Sequence, residues 1–212
     1  MEPIIEKIYS GVLNGQQKDV VSEVKAALKQ GTPPLFIMNN GMIAAMQEVG
    51  RLFEAGDYYV PEMLVAARAM QAGMNVIKPY LADKEAHPAG KVAIGTVEGD
   101  IHDIGKNLVK LMLEGAGFEV IDLGVDVSPA AFLSAVIHDH VDILAISALI
   151  TTTMQNIRPV IDFLGKSGVR QQVKIMVGGA PLTKEFARQI GADGYAPDAS
   201  RAVNLAKLLL SS

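Results

Sequence analysis

The chain has 212 residues, half of them hydrophobic, with no Trp and a formal net charge of -4. That length holds one large domain or two modest ones, and the acidic balance without any long basic run argues against a nucleic-acid partner. With no Cys in the sequence there are no disulfides, thiolate metal sites or thiol nucleophiles, so a metal would have to rely on His, carboxylates or a prosthetic group.

The opening Met-Glu-Pro-Ile-Ile-Glu-Lys has no cationic segment leading into an apolar block, so no signal peptide is expected. Apolar stretches are broken by Gly, Asp or Pro well short of the roughly 20 residues that a bilayer span needs. A soluble, cytoplasmic protein is expected. Residues 1–86 read as four helical runs. Ile4, Ile5, Ile8 and Val12 form the first apolar stripe, and Val20, Val21, Val24, Ala27 and Leu28 the second, with Gly15 and Gly31 between them. Pro33 and Pro34 open a third run through Met38, Met42, Met46 and Phe53; Pro61 opens a fourth through Leu64, Met70 and Ile77. Short connections make this a small antiparallel four-helix bundle.

Residues 83–90, charged and holding Pro and Gly without an apolar period, read as a linker between a domain over 1–86 and another over 87–212. Beyond it strands alternate with helices. Strands are predicted over 91–97, 119–123, 143–148, 174–177 and, weakly, 194–196. Helices are predicted over 104–115, 129–140, 154–165, 184–190 and 199–210. Near-continuous aliphatic strands such as Ile143-Leu-Ala-Ile146 belong in a parallel sheet covered on both faces. The fold class is therefore α/β: a helical bundle followed by a flavodoxin-like, doubly wound, five-stranded parallel sheet.

Ligands of such sheets bind at the carboxyl edge, and three predicted loops there are unusual. The first, Gly99-Asp-Ile-His-Asp-Ile-Gly-Lys-Asn107, holds Asp100, His102, Asp103 and Gly105. The second, Ser147-Ala-Leu-Ile-Thr-Thr-Thr153, concentrates hydroxyls where strand becomes helix. The third is Gly178-Gly179, where no Cβ limits close approach. Each has an ordinary reading as a solvated His, an N-cap or a turn. Together on one edge they point to a ligand site. An imidazole held by a carboxylate suits both metal binding and proton-transfer chemistry, because the carboxylate selects the tautomer and raises ligand basicity. Neither Gly-x-Gly-x-x-Gly nor Gly-Lys-Ser/Thr occurs in the first loop, which disfavours a nucleotide.

Asp100-x-His102-x-x-Gly105, then Ser147-x-Leu149, then Gly178-Gly179 resembles the signature of cobalamin-binding domains of the methionine synthase type. The longer Asp-Ile-His-Asp-Ile-Gly-Lys-Asn resembles the corrinoid methyl carriers of anaerobic methyltransferase systems. Gly50-Arg-Leu-Phe53-Glu-Ala-Gly56-Asp-Tyr-Tyr-Val60-Pro61-Glu-Met63 resembles their helical cap, so the likeness spans nearly the whole chain. It implies that His102 binds the lower face of cobalt in place of the cofactor's own base, with Asp100 and Thr153 as its relay. It implies cobalamin contacts at Asp100, His102, Asp103, Gly105, Ser147, Leu149, Thr151, Gly178 and Gly179. Phe53, Val60 and Met63 would cover the upper face, Val60 being smaller than the Leu expected there.

The activity so implied is methyl carriage on cobalt between a methyl donor:corrinoid methyltransferase and a second methyltransferase using tetrahydrofolate or coenzyme M. A reductive activase would be a further partner. The donor stays open among methanol, a methylamine, glycine betaine and an aryl methyl ether. A cobalamin-dependent sensor, or a flavodoxin-like signalling domain without corrinoid, are the alternatives. The sensor would call for a DNA-binding module and aromatic cover, and the chain has neither a Trp nor a basic recognition helix.

Overall fold

The computed structural model describes residues 2–81 and 88–211. It has two compact units, one formed by the N-terminal helices with Gly115–Gly117, the other by the rest of the chain from Pro88 on. Residues 83–87 of the expected linker lie outside the described residues. Among the described residues no helix is long and apolar enough to cross a membrane.

The helical unit has four rods, as the apolar stripes predict. They are α1 (Pro3–Leu13), α2 (Gln17–Lys29), a third rod, and α5 (Val60–Leu81). The third rod runs through α3 (Pro34–Phe36), a π-helical stretch (Ile37–Ile43) and α4 (Ala44–Ala55). Pro3 and Pro34 sit in the first turns of α1 and α3, where a missing N–H costs nothing. Ile5, Ile8, Val12, Val20, Val24 and Met42 are fully buried, so each stripe faces the bundle interior. Helix α4 ends on Gly56 at φ 81°, the left-handed residue that frees the chain to turn into α5.

The second unit is a five-stranded sheet in the order β2-β1-β3-β4-β5, with every pairing parallel. The strands are β1 (Lys91–Val97), β2 (Glu119–Val127), β3 (Ile143–Ser147), β4 (Lys174–Gly178) and β5 (Gly194–Ala196). Between them run α6 (Ile104–Gly115), α7 (Pro129–His138), α8 (Thr151–Met154), α9 (Ile157–Lys166) and α10 (Lys184–Ile190), and α11 (Ala199–Leu210) closes the chain. Phe132, Leu144, Ile146, Val160, Leu164 and Ile175 share one core, each large apolar side chain contributing about 1.5–3 kcal/mol on burial. Ser128, Thr183 and Asp198 cap α7, α10 and α11 by accepting backbone N–H bonds, so local signals and tertiary packing agree on where helices begin.

This strand order places the switch point between β1 and β3, where consecutive connections leave in opposite directions and open a crevice. The segments that follow those two strands hold His102, in a loop, and Thr153, in α8. Three elements differ from the sequence-based expectation. Strand β2 continues four residues past Leu123, because Gly124, at φ 88°, carries it through a bulge. The helix predicted over 154–165 is two helices, α8 and α9, parted at Gln155-Asn156. Helix α7 stops at His138, and His140 turns the chain at φ 52°.

Candidate functional site

Asp100 is the hub of the site. Its side chain is wholly buried at the turn leaving β1, and four hydrogen bonds converge on it. Oδ1 accepts the His102 N–H at 3.0 Å and faces His102 Nδ1 at 2.7 Å; Oδ2 accepts the Leu149 N–H at 2.8 Å and the Thr153 hydroxyl at 2.6 Å. The loops after β1 and β3 are thereby joined through one carboxylate. Burial alone would raise its pKa. The Thr153 hydroxyl, the Leu149 and His102 N–H groups and the His102 ring outweigh burial and hold the carboxyl well below the usual carboxylate range.

An ionised carboxylate only accepts, so the proton at this contact sits on His102 Nδ1. In the neutral ring Nε2 then carries a lone pair. The imidazole is 49% exposed, and Nε2 is the nitrogen a metal could take. Thr153 Oγ1 also lies 3.1 Å from the Ile150 carbonyl; its single hydrogen goes to the charged oxygen, the stronger acceptor.

Around this relay the protein leaves an apolar rim. Ile101 and Ile104, on either side of His102, are 74% and 82% exposed, and Leu149, Ile150 and Val125 are also exposed on loops or strand ends of the same edge. Large aliphatic side chains left in water beside a metal-ready nitrogen suit a flat, largely apolar ligand. Among the described residues no group of three or more His, Cys, Asp or Glu side chains could hold a metal ion. A metal at His102 must therefore bring its other ligands with it, as a ring-held ion does. The donor set fits such a group.

The remaining sequence-predicted residues separate by role. Thr96, Ser147, Gly178 and Ala196 stand in one row across the carboxyl edge of the sheet, so Ser147 and Gly178 are neighbours. A Cβ on Gly105 would meet no atom within 4 Å, whereas one on Gly178 would lie 2.9 Å from the Ala196 carbonyl oxygen. On Gly179, at φ 131°, it would lie 1.9 Å from the Ala148 oxygen. Gly105 thus faces open space, while Gly178 and Gly179 are first required by the protein's own backbone. Asp103 accepts the Asn107 side-chain N–H at 3.0 Å and steadies the start of α6. Leu149 serves the relay through its backbone, and Thr151 is exposed at the first position of α8. In the helical unit Phe53 is half-buried, Val60 is 40% exposed and Met63 is fully buried.

Several supporting residues escaped the sequence reading. Thr96, fully buried, donates its hydroxyl to the His102 carbonyl at 2.9 Å. Asn156, in the break between α8 and α9, donates to the Glu98 carbonyl at 2.8 Å. The Asp126 carboxylate accepts the Gly99 N–H at 2.7 Å. Lys106, only 4% exposed, pairs with Asp122 of β2.

The fold and site are those of a corrinoid-binding protein. A family model described as a B12 binding domain matches residues 90–204, and a second of the same description matches residues 4–78. The chain belongs to the B12-binding corrinoid protein family, whose cofactor is cobalamin. It is 42% identical to dimethylamine corrinoid protein 2 of Methanosarcina acetivorans over 99% of this chain and 97% of that one. It is 43% identical to trimethylamine corrinoid protein 2 of the same organism, over 100% and 98%. In structure it is similar to a chain in the crystal structure of the methanol:cobalamin methyltransferase complex MtaBC from Methanosarcina barkeri. The TM-score is 0.89 at 30% identity, covering 100% of this chain and 81% of that one.

Proposed function

We propose that this protein is a methyl carrier that binds cobalamin with the cofactor's own base displaced and His102 Nε2 as the lower ligand. The observation that supports it most directly is the Asp100 carboxylate, buried and bonded so that His102 presents its other nitrogen outward. Cobalamin supplies a cobalt centre that can accept a methyl group and give it away. His102 would hold that centre through Nε2, and Asp100 fixes the tautomer of the ring. Thr153 keeps the carboxylate from turning away, and the three side chains form a hydrogen-bonded path that could hold a proton at the imidazole.

Ser147 and Gly178 border the cleft for the displaced tail, and Gly105 leaves room at its mouth. Contacts from Asp103, Leu149, Thr151 and Gly179 complete the lower site. The helical unit serves as the cap of the bound cofactor, and Phe53, Val60 and Met63 are its cofactor-covering residues. The donor enzyme is a substrate-specific methyltransferase. A methylamine is the donor class we favour, since the relatives named for dimethylamine and trimethylamine share more of this sequence than does the structure named for methanol. A second methyltransferase, serving tetrahydrofolate or coenzyme M, and a reductive activase complete the system in the cytoplasm.

Anaerobic reconstitution with hydroxocobalamin tests the ligand. Wild type should bind stoichiometrically with the base displaced, and His102→Ala should bind with a different lower-ligand spectrum; identical spectra would remove His102 from the metal. For the cap, Phe53→Ala should hasten photolysis of the methylated protein, and unchanged rates would count against it.

A further inference from the structure

The loop that carries His102 is gripped from the edge of the sheet. Asp126 on β2 adopts φ 53°, a left-handed conformation that few non-glycine residues take up and that Asp tolerates better than most. There it makes two bonds in opposite directions. Its carboxylate accepts the Gly99 N–H at 2.7 Å, and its own N–H donates to the Asp100 carbonyl at 2.9 Å. Strain held at one residue and returned as a reciprocal pair of bonds marks a position whose geometry the surroundings demand.

The sheet is built to deliver that residue. Ile94 pairs with Asp122 and Val97 with Val127, so β1 advances three residues while β2 advances five. The extra residues swing the strand out of register and toward the loop. Asp122, at the start of the bulged stretch, pairs with Lys106 in the first turn of α6, where the same loop ends. One edge strand therefore holds the loop at both ends, with His102 between.

We propose that Asp126 is a positioning residue for His102: by clasping Gly99 and Asp100 it fixes the turn from which the imidazole is aimed. This rests on the reading of His102 as the cobalt ligand, and the two can fail separately. Support around a metal-binding imidazole is typically worth 10–100-fold in metal affinity.

The test uses the full chain with hydroxocobalamin. Asp126→Gly removes the carboxylate while tolerating the positive φ. Asp126→Asn keeps an accepting oxygen and a residue at home in that conformation. We expect Asp126→Gly to lose about tenfold in cobalamin affinity and to show a reduced His-ligated fraction in the visible spectrum, with Asp126→Asn restoring both. In the cofactor-free protein, the nitrogen NMR signals of the His102 ring should show a mixed tautomer in Asp126→Gly and a single one in wild type and Asp126→Asn. If Asp126→Gly matches wild type while His102→Ala does not, the clasp is wrong and the ligand assignment stands. If both substitutions at Asp126 weaken binding equally, charge rather than the clasp is responsible and the proposal falls. If His102→Ala itself matches wild type, both readings fall. Should Asp126→Gly fail to fold, hydrogen exchange in the wild type decides: a Gly99 amide that exchanges as freely as an unbonded one overturns the clasp.

Discussion

His102 Nδ1 lies 2.7 Å from Asp100 Oδ1, and the carboxylate is wholly buried while the imidazole is half exposed. The contact therefore has a fixed side and an adjustable side, and its fixed side has no spare bonding capacity on Oδ2. Asp100→Asn tests this. If the amide oxygen keeps the imidazole, the amide nitrogen must face the Leu149 N–H, donor against donor. Leaving that N–H unpaired costs about 1–3 kcal/mol, and the weakened hold on the ring should lower cobalamin affinity 10–100-fold. Urea unfolding of the cofactor-free protein and a cobalamin titration measure the two effects. Thr153→Ser should approach wild type in both, because it keeps the hydroxyl; Thr153→Val should lose about 1.5–3 kcal/mol, the worth of a hydrogen bond to a charged group.

Gly105 and Gly179 belong to one sequence signature but answer to different constraints. An added Cβ at Gly179 would strike the Ala148 carbonyl oxygen at 1.9 Å, and its φ of 131° disfavours any side chain. Gly179→Ala should cost at least about 1–3 kcal/mol of folding stability before any ligand is considered. Gly105 is the second residue of α6, and a Cβ there meets nothing within 4 Å. Gly105→Ala should raise the stability of the cofactor-free protein by up to about 0.5 kcal/mol, less than in a helix interior because the position is in the first turn, and yet weaken cobalamin binding. Thermal melts with and without cofactor distinguish them; a destabilised cofactor-free Gly105→Ala protein would contradict the open space.

Much of this is legible in the sequence itself. Aliphatic runs separated by amphipathic ones specify the parallel sheet, and the Pro-opened stripes specify the bundle rods. The relay is another matter. Asp100 and Thr153 are 53 residues apart, and only the family resemblance joins them in the sequence. Asp126 and Asn156 are invisible in the sequence for a physical reason: short polar side chains near the end of a strand or at a helix junction have ordinary local uses. Nothing in composition distinguishes those uses from bonds made 27 or 58 residues away. The bulge in β2 was missed likewise, because Gly124-Val-Asp126 reads as a turn unless the register with β1 is known.

The ion pair of Lys106 with Asp122 sets an acid limit on stability. Lys106 is nearly buried, and Asp122 also accepts the Gly124 N–H at 2.9 Å and bonds from Lys110 at 3.2 Å. Burial raises the Asp122 pKa, but the Lys106 ammonium, the Gly124 N–H and the Lys110 ammonium outweigh it and hold the folded value below the usual one. A carboxylate with a depressed folded pKa contributes stability that is present above its unfolded pKa, about 3.9. That contribution is lost as pH falls from there through the folded value. Asp122→Asn removes it at every pH and leaves Lys106 without its anion. Near neutrality the variant should be less stable, toward the lower end of the roughly 3–5 kcal/mol cost of breaking a buried pair, because Asp122 is partly exposed. Below about pH 4 the two stability curves should converge, because wild type then loses the same charge by protonation. Urea midpoints across the acid range measure the gap. A gap that stays constant down to the point of acid unfolding would show that the carboxylate's charge is not what secures Lys106 and the first turn of α6.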